Sequence, residues 1–167
     1  MTNIYFITED FIKNNSPVTS NIDPKDLFPH VQSAQQLFLQ VILGSEFYID
    51  LLTKFEAQTL SADEITLVEN YIKPATLWRS LVLSLPWIHY NLRNKGFMQN
   101  TDDNATSAGF NELKFMLNET KNRAEFTENQ LTKYLCENSS LFPLYTTQDG
   151  LIDPDTSTNW DSGLVMY

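Results

Sequence analysis

Residues 27–52 read "LFPHVQSAQQLFLQVILGSEFYIDLL", and their pattern decides the fold. Leu27, Val31, Ala34, Phe38, Val41 and Ile42 recur at steps of three and four, which places them on one face of an α-helix. Gly44 interrupts the series. Phe47, Tyr48, Leu51, Leu52 and Phe55 then start a second stripe, with Ser45 placed to cap it and Glu46 in its first turn, where the helix dipole favours an acid. Two stripes separated by a single glycine predict a tight helix corner with left-handed backbone at Gly44, a conformation glycine takes without steric cost. Residues 42–52 contain no Cys, His or Lys, so the corner reads as a packing device rather than a centre of chemistry.

Outward from the corner, the helical pattern continues. Thr8, Glu9 and Asp10 predict a short helix after the apolar "IYFI" of residues 4–7, ending in the loop residues Asn15, Ser16 and Pro17. Asp23 and Pro24 predict the start of the helix that leads to Gly44, with Pro29 as a restart one turn later. "SADE", residues 61–64, matches a capping box of Ser61 with Glu64. The helix it opens is expected to run to about residue 95, broken or kinked at Pro74 and kinked at Pro86. Between these prolines "ATLWRSLVLSL" is apolar on nearly every side except Arg79, so it is expected to be the most buried segment. A further series, Phe110, Leu113, Leu117, Ala124, Leu131 and Leu135, predicts the longest helix, to about residue 137, with Glu119 and Arg123 at ion-pair spacing. The expected fold class is all-α: a bundle of about four to five helices over residues 24–43, 45–57, 62–95 and 110–137, with an exposed loop and an extended C-terminal tail.

The loop is residues 97–109, "FMQNTDDNATSAG", polar and without period. Phe97, Met98, Asp102 and Asp103 are its candidate contact residues. The tail sets residues 138–167 apart from a helical domain of residues 1–137. It has no Lys or Arg, yet it carries Leu141, Phe142, Leu144, Tyr145, Trp160, Leu164, Val165, Met166 and Tyr167. So many large apolar groups need a surface to cover them. Two surfaces satisfy that need, the chain's own bundle and a neighbouring subunit. Docking on a partner would use Leu141, Phe142, Tyr145, Trp160, Leu164, Val165, Met166 and Tyr167.

The 167 residues fit one domain, and 42% hydrophobic residues suffice for a core. Eleven Lys and Arg against 21 Asp and Glu give a formal charge of −10, which excludes a protein that grips nucleic acid through a basic face. A single cysteine, Cys136, excludes an intrachain disulfide. The N-terminal residues lack a secretory pattern and no apolar run reaches a membrane-spanning length, so the chain is expected to be made and used in a cytosol. His30 and His89 lie on different helices without a carboxylate or Cys at ligand spacing, and they read as ordinary helical histidines. Cys136 beside Glu137 is poorly placed for a thiolate and reads as a structural thiol. Asp102 and Asp103 with Asn100 and Asn104 have the look of part of a calcium loop, but the glycine and terminal Glu of that motif are missing. No phosphate-cradling loop, nucleophile elbow or zinc spacing occurs. No metal, no cofactor and no enzymatic activity are expected.

The run "NIDPKDLFPHVQSAQQLFLQVILGSEFYIDLL" resembles the opening of the head–tail connector (adaptor) proteins of tailed bacteriophages, which begin helix, short turn, helix. Val31, Ala34, Phe38, Ile42, Leu43, Gly44, Phe47, Tyr48, Leu51 and Leu52 carry the likeness. "IYFITEDFIKNN" (residues 4–15), "NKG" (residues 94–96) and "TKNRAEF" (residues 120–126) are similar to the version found in crAss-like phages of gut Bacteroidetes. The resemblance implies a structural virion protein of the head–tail junction. Such a protein is one subunit of a homo-oligomeric ring, commonly dodecameric, that sits beneath the portal protein and contacts tail or second-ring proteins. DNA passes through the channel without sequence-specific binding, and acidic walls would lower its retention. The alternative from the same phage module is a tail-completion or scaffolding protein.

Overall fold

The computed structural model describes residues 4–17, 23–93, 96–99 and 110–146. Three helices begin where their capping chemistry dictates. Thr8 Oγ1 accepts from the Phe11 N–H at 3.2 Å and opens α1 (Glu9–Asn15). Asp23 accepts from the Lys25 N–H at 3.0 Å and opens α2 (Pro24–Ala34), with Pro24 in the first turn and Pro29 carried inside the helix. The same helix continues through a wide π turn (Gln35–Leu39) into the short α3 (Gln40–Leu43). After Gly44, α4 spans Ser45–Ala57 and ends on Gln58, whose φ of 55° is left-handed. The capping box forms as the sequence predicts: Ser61 Oγ accepts from the Glu64 N–H at 3.2 Å, and Glu64 accepts from the Ser61 N–H at 2.8 Å.

From Ser61 one continuous helix runs as α5 (Ala62–Leu67), a second π turn (Val68–Ile72) and α6 (Lys73–His89). Pro74 does not break it. Proline brings no N–H to the ladder, and the wide turn lies immediately before it, where the Lys73 N–H reaches back five residues to the Val68 carbonyl. Pro86 is likewise held inside α6. The helix stops at His89, earlier than expected. Residues 90–93 form β1 (Tyr90–Arg93), paired antiparallel with β2 (Gly96–Gln99), Tyr90 opposite Gln99 and Arg93 opposite Gly96. Phe97 and Met98 therefore belong to a strand rather than to the expected loop. Asp102, Asp103 and the rest of that loop lie outside the described residues. The long helix α7 (Phe110–Glu137) follows, then a 3-10 turn (Ser139–Leu141) and α8 (Pro143–Thr146). The architecture is an all-α bundle carrying one short β-hairpin.

Two apolar clusters hold the bundle. The larger joins Phe6, Leu39, Leu43, Phe47, Leu51, Ile72, Leu131 and Leu135, all at most 3% exposed. The smaller joins Ile7 and Ile12 of the N-terminal segment to Leu27 and Val31 of α2 and to Leu77 and Leu81 of α6. Each such side chain contributes roughly 1.5–3 kcal/mol by burial. Helix α6 packs on both α2 and α7. Its first half is the most buried, as the sequence implies, but Val82, Leu83 and Leu85 are only half-buried and Trp87 is 51% exposed.

The N-terminal segment is tied down by a side chain. Gln35, 2% exposed at the start of the first π turn, accepts from the Phe6 N–H at 3.0 Å. Its amide nitrogen donates to the Ile4 carbonyl and the Tyr48 hydroxyl, each at 3.2 Å.

Candidate interaction surfaces

The corner turns at Gly44 as the sequence implies, but Ser45 lies inside α4 and no side chain caps that helix. Gly44 has the expected positive φ, 78°, but its ψ is 152°, so it is extended rather than left-handed helical. Both of its peptide groups are engaged: its N–H donates to the Gln40 carbonyl at 2.9 Å, and its carbonyl accepts from the Tyr48 N–H at 3.0 Å. Gly44 is buried, and Leu43, Phe47 and Leu51 around it are core residues. The corner fixes the angle between two helices and offers nothing reactive.

The stripe before the corner differs from the expected one. Leu27, Val31 and Ala34 face the core, but beyond them Leu39 and Leu43 are buried while Phe38 and Ile42 are only half-buried. Val41 is 56% exposed and Leu37 63%. The π turn is the cause. It places one extra residue in the turn, with the Gln40 N–H reaching back to the Gln35 carbonyl, and so shifts every later side chain around the helix.

Arg79 ties three helices together. Its guanidinium grips the Glu128 carboxylate of α7 with two hydrogen bonds, Nε to Oε1 at 2.6 Å, and lies 4.1 Å from the centre of the Phe38 ring. The two charged side chains are only 11% and 15% exposed, so each depends on the other for its charge to be tolerated. Arg123, expected beside Glu119, has its guanidinium 4.9 Å from the centre of the Trp78 ring. These residues, with Asn122, Phe126 and Thr127, line an open groove of about 370 Å³ between α6 and α7.

The expected tail divides at Thr146. Phe142 and Tyr145 belong to the chain's own core, 1% and 7% exposed, with Phe142 packed at 5.6 Å from the Phe47 ring. The folded domain therefore extends beyond residue 137, because the 3-10 turn and α8 carry these rings back against α4. Leu141 is 46% exposed. Trp160, Leu164, Val165, Met166 and Tyr167 lie outside the described residues.

The residues weighed for chemistry are scattered. His30 is half-buried on α2, where burial lowers its imidazole below the ordinary value and Asp26 acts the other way. His89 closes α6. Cys136 is half-buried near the end of α7. Among the described residues no group of three or more His, Cys, Asp or Glu side chains is placed to hold a metal ion, and no helix is long and apolar enough to cross a membrane.

These features define a helical-bundle protein with large apolar side chains on its outer faces. The chain belongs to the DUF6712 family, a family of unknown function, whose model matches residues 39–154. That range begins inside the first π turn and includes the Gly44 corner. No curated protein and no solved structure matches the chain.

Proposed function

We propose that the chain is a structural subunit of a head–tail connector ring in a tailed bacteriophage, placed beneath the portal and surrounding the DNA channel. The observation that carries this reading is the outer surface. Leu37, Val41, Phe115 and Phe126 are each more than half exposed, and large exposed apolar side chains are available for contact with other protein. The helix–glycine–helix corner, whose residues carry the resemblance to connector proteins, supports the same reading as a rigid framework that holds such faces in place. The formal charge of −10 suits a wall past which DNA slides. The role is structural rather than enzymatic.

Capture on the portal protein of the same phage, followed by native mass spectrometry, tests the proposal. The expected result is a ring of this chain bound to the portal and retained in purified virions. A chain that fails to bind the portal overturns it. So does a chain present in precursor heads and absent from virions, which is the behaviour of a scaffold.

A further inference from the structure

The groove between α6 and α7 holds two charged side chains that do not pair. Glu119 and Arg123 both line it, one turn apart on α7. Among the described residues the Arg123 guanidinium has the Trp78 ring as its neighbour, and neither it nor Glu119 has an ion-pair partner. Phe126, 63% exposed, adds a second aromatic ring to the lining. Such a groove suits an aromatic side chain flanked by an acceptor and a donor. A ring seated there buries apolar area and adds attraction to the arginine, while its neighbours in sequence answer the two charges.

The chain carries that sequence within reach. Residues 147–167 follow α8 with four Asp and no Lys or Arg, and among them Asn159, Trp160, Asp161 and Ser162 stand in a row. The start of this tail already returns to the chain's own bundle, where Phe142 and Tyr145 are core residues. The Phe142 ring lies 6.2 Å from the Tyr134 ring of α7, centre to centre. Arg123 is eleven residues back along the same helix, about 16 Å. The stretch 147–159 spans about 43 Å when extended, which leaves slack to pass around α7. A segment tethered to the same molecule meets the groove at an effective concentration on the order of mM, so the chain's own tail is favoured there over a second copy's.

We propose that the C-terminal segment docks on its own bundle, with the Trp160 indole seated in the α6–α7 groove against Trp78 and Phe126. The Asp161 carboxylate then accepts from Arg123, and Asn159 or Ser162 donates to Glu119. Each charge in the groove gains the partner it lacks, and a large aromatic anchor fills the centre of the contact, where binding energy concentrates. Docking covers Phe126. Leu37, Val41 and Phe115 lie outside the groove and stay open to other protein, so this inference and the connector reading fail independently.

Hydroxyl-radical footprinting of the full chain, read residue by residue by mass spectrometry, tests the docking. Trp160 should be oxidised about tenfold more slowly in the wild type than in Arg123→Glu, the factor for a segment docked roughly nine-tenths of the time. Arg123 is exposed, so far-UV circular dichroism of that variant should match the wild type. Phe126 should in turn be oxidised faster in Trp160→Ser than in the wild type. Combining Arg123→Glu with Asp161→Arg reverses the pair and should restore the protection of Trp160. An equimolar mixture of those two single variants should not, because the intact groove and the intact tail then sit on different chains. Four outcomes overturn the inference: Trp160 equally reactive in the wild type and in Arg123→Glu, Phe126 indifferent to Trp160→Ser, a double variant that stays unprotected, or a mixture that regains protection. The last would make the occupant the tail of a second copy.

Discussion

Replacing Gly44 by alanine probes the corner directly. Positive φ with ψ near 150° is a region that only glycine occupies without strain, and forcing a Cβ into it costs about 1–3 kcal/mol. Relaxation is blocked at both ends, because the Gly44 N–H and carbonyl are each hydrogen-bonded within the flanking helices. Alanine also restricts the unfolded chain, which offsets about 0.4–1 kcal/mol of the cost. The net expectation is a destabilisation of about 1–2 kcal/mol. For a chain of this length that corresponds to a fall in Tm of roughly 2–8 °C, read by far-UV circular dichroism and checked against the urea midpoint. Gly44→Asn sharpens the test. Asparagine is tolerated in the left-handed helical region but gains nothing at this ψ, so it should fall with alanine. An Asn variant as stable as the wild type, or an Ala variant with unchanged Tm, would refute the argument.

Three further outcomes follow from described contacts. Arg79→Ala strands the buried Glu128 carboxylate and should cost about 3–5 kcal/mol, whereas Arg79→Met combined with Glu128→Leu should recover most of that in urea unfolding. Gln35→Ala leaves the Phe6 N–H without its acceptor, so hydrogen exchange at Phe6 should accelerate strongly, with a loss of stability of about 1–3 kcal/mol. The Glu64 carboxyl is held below its ordinary value of 4.5: burial alone would raise it, but the hydrogen bonds from Lys54, at 2.7 Å, and from Ser61 outweigh burial. The native state therefore binds this proton less readily than the unfolded chain. The stability it confers is complete above pH 4.5 and declines as pH falls through the lowered native value, and Glu64→Gln should flatten that part of the stability profile.

The helices were legible because their signals are local. Asp23 with Pro24, Ser61 with Glu64 and the glycine at 44 mark ends that the structure uses. The outward turn of Val41 was not legible. A strict helical period cannot anticipate a π turn, and the buried amide of Gln35 that accompanies it looks in sequence like any polar surface residue. The hairpin was not legible although "YNLRNKGF", residues 90–97, offers some apolar alternation, because it follows directly on the apolar helical run of residues 75–85. Phe142 and Tyr145 looked like tail residues because they fall in the Lys- and Arg-free stretch 138–167. Pro143 opens α8, and both rings return to the core. Of the surfaces, the exposed side of α7 follows from the buried stripe by subtraction, whereas the Leu37–Val41 face depends on the shift in register.

The bond pattern at Gln35 is also that of a missing β-strand. In a parallel ladder a residue of one strand is bracketed by its neighbour: the carbonyl before it and the N–H after it bond to the N–H and C=O of a single residue on the other side. Here Ile4 offers the carbonyl and Phe6 the N–H on either side of Tyr5, and one side-chain amide answers both. The N-terminal segment is thus held as though against a sheet, yet among the described residues no second strand stands behind it. A real strand in that place would carry a row of unsatisfied peptide groups on its far side, an edge on which other chains can template. A glutamine ends the ladder after one rung. The bundle gains the anchorage of strand pairing at its N-terminal segment and adds no sticky border to its surface there.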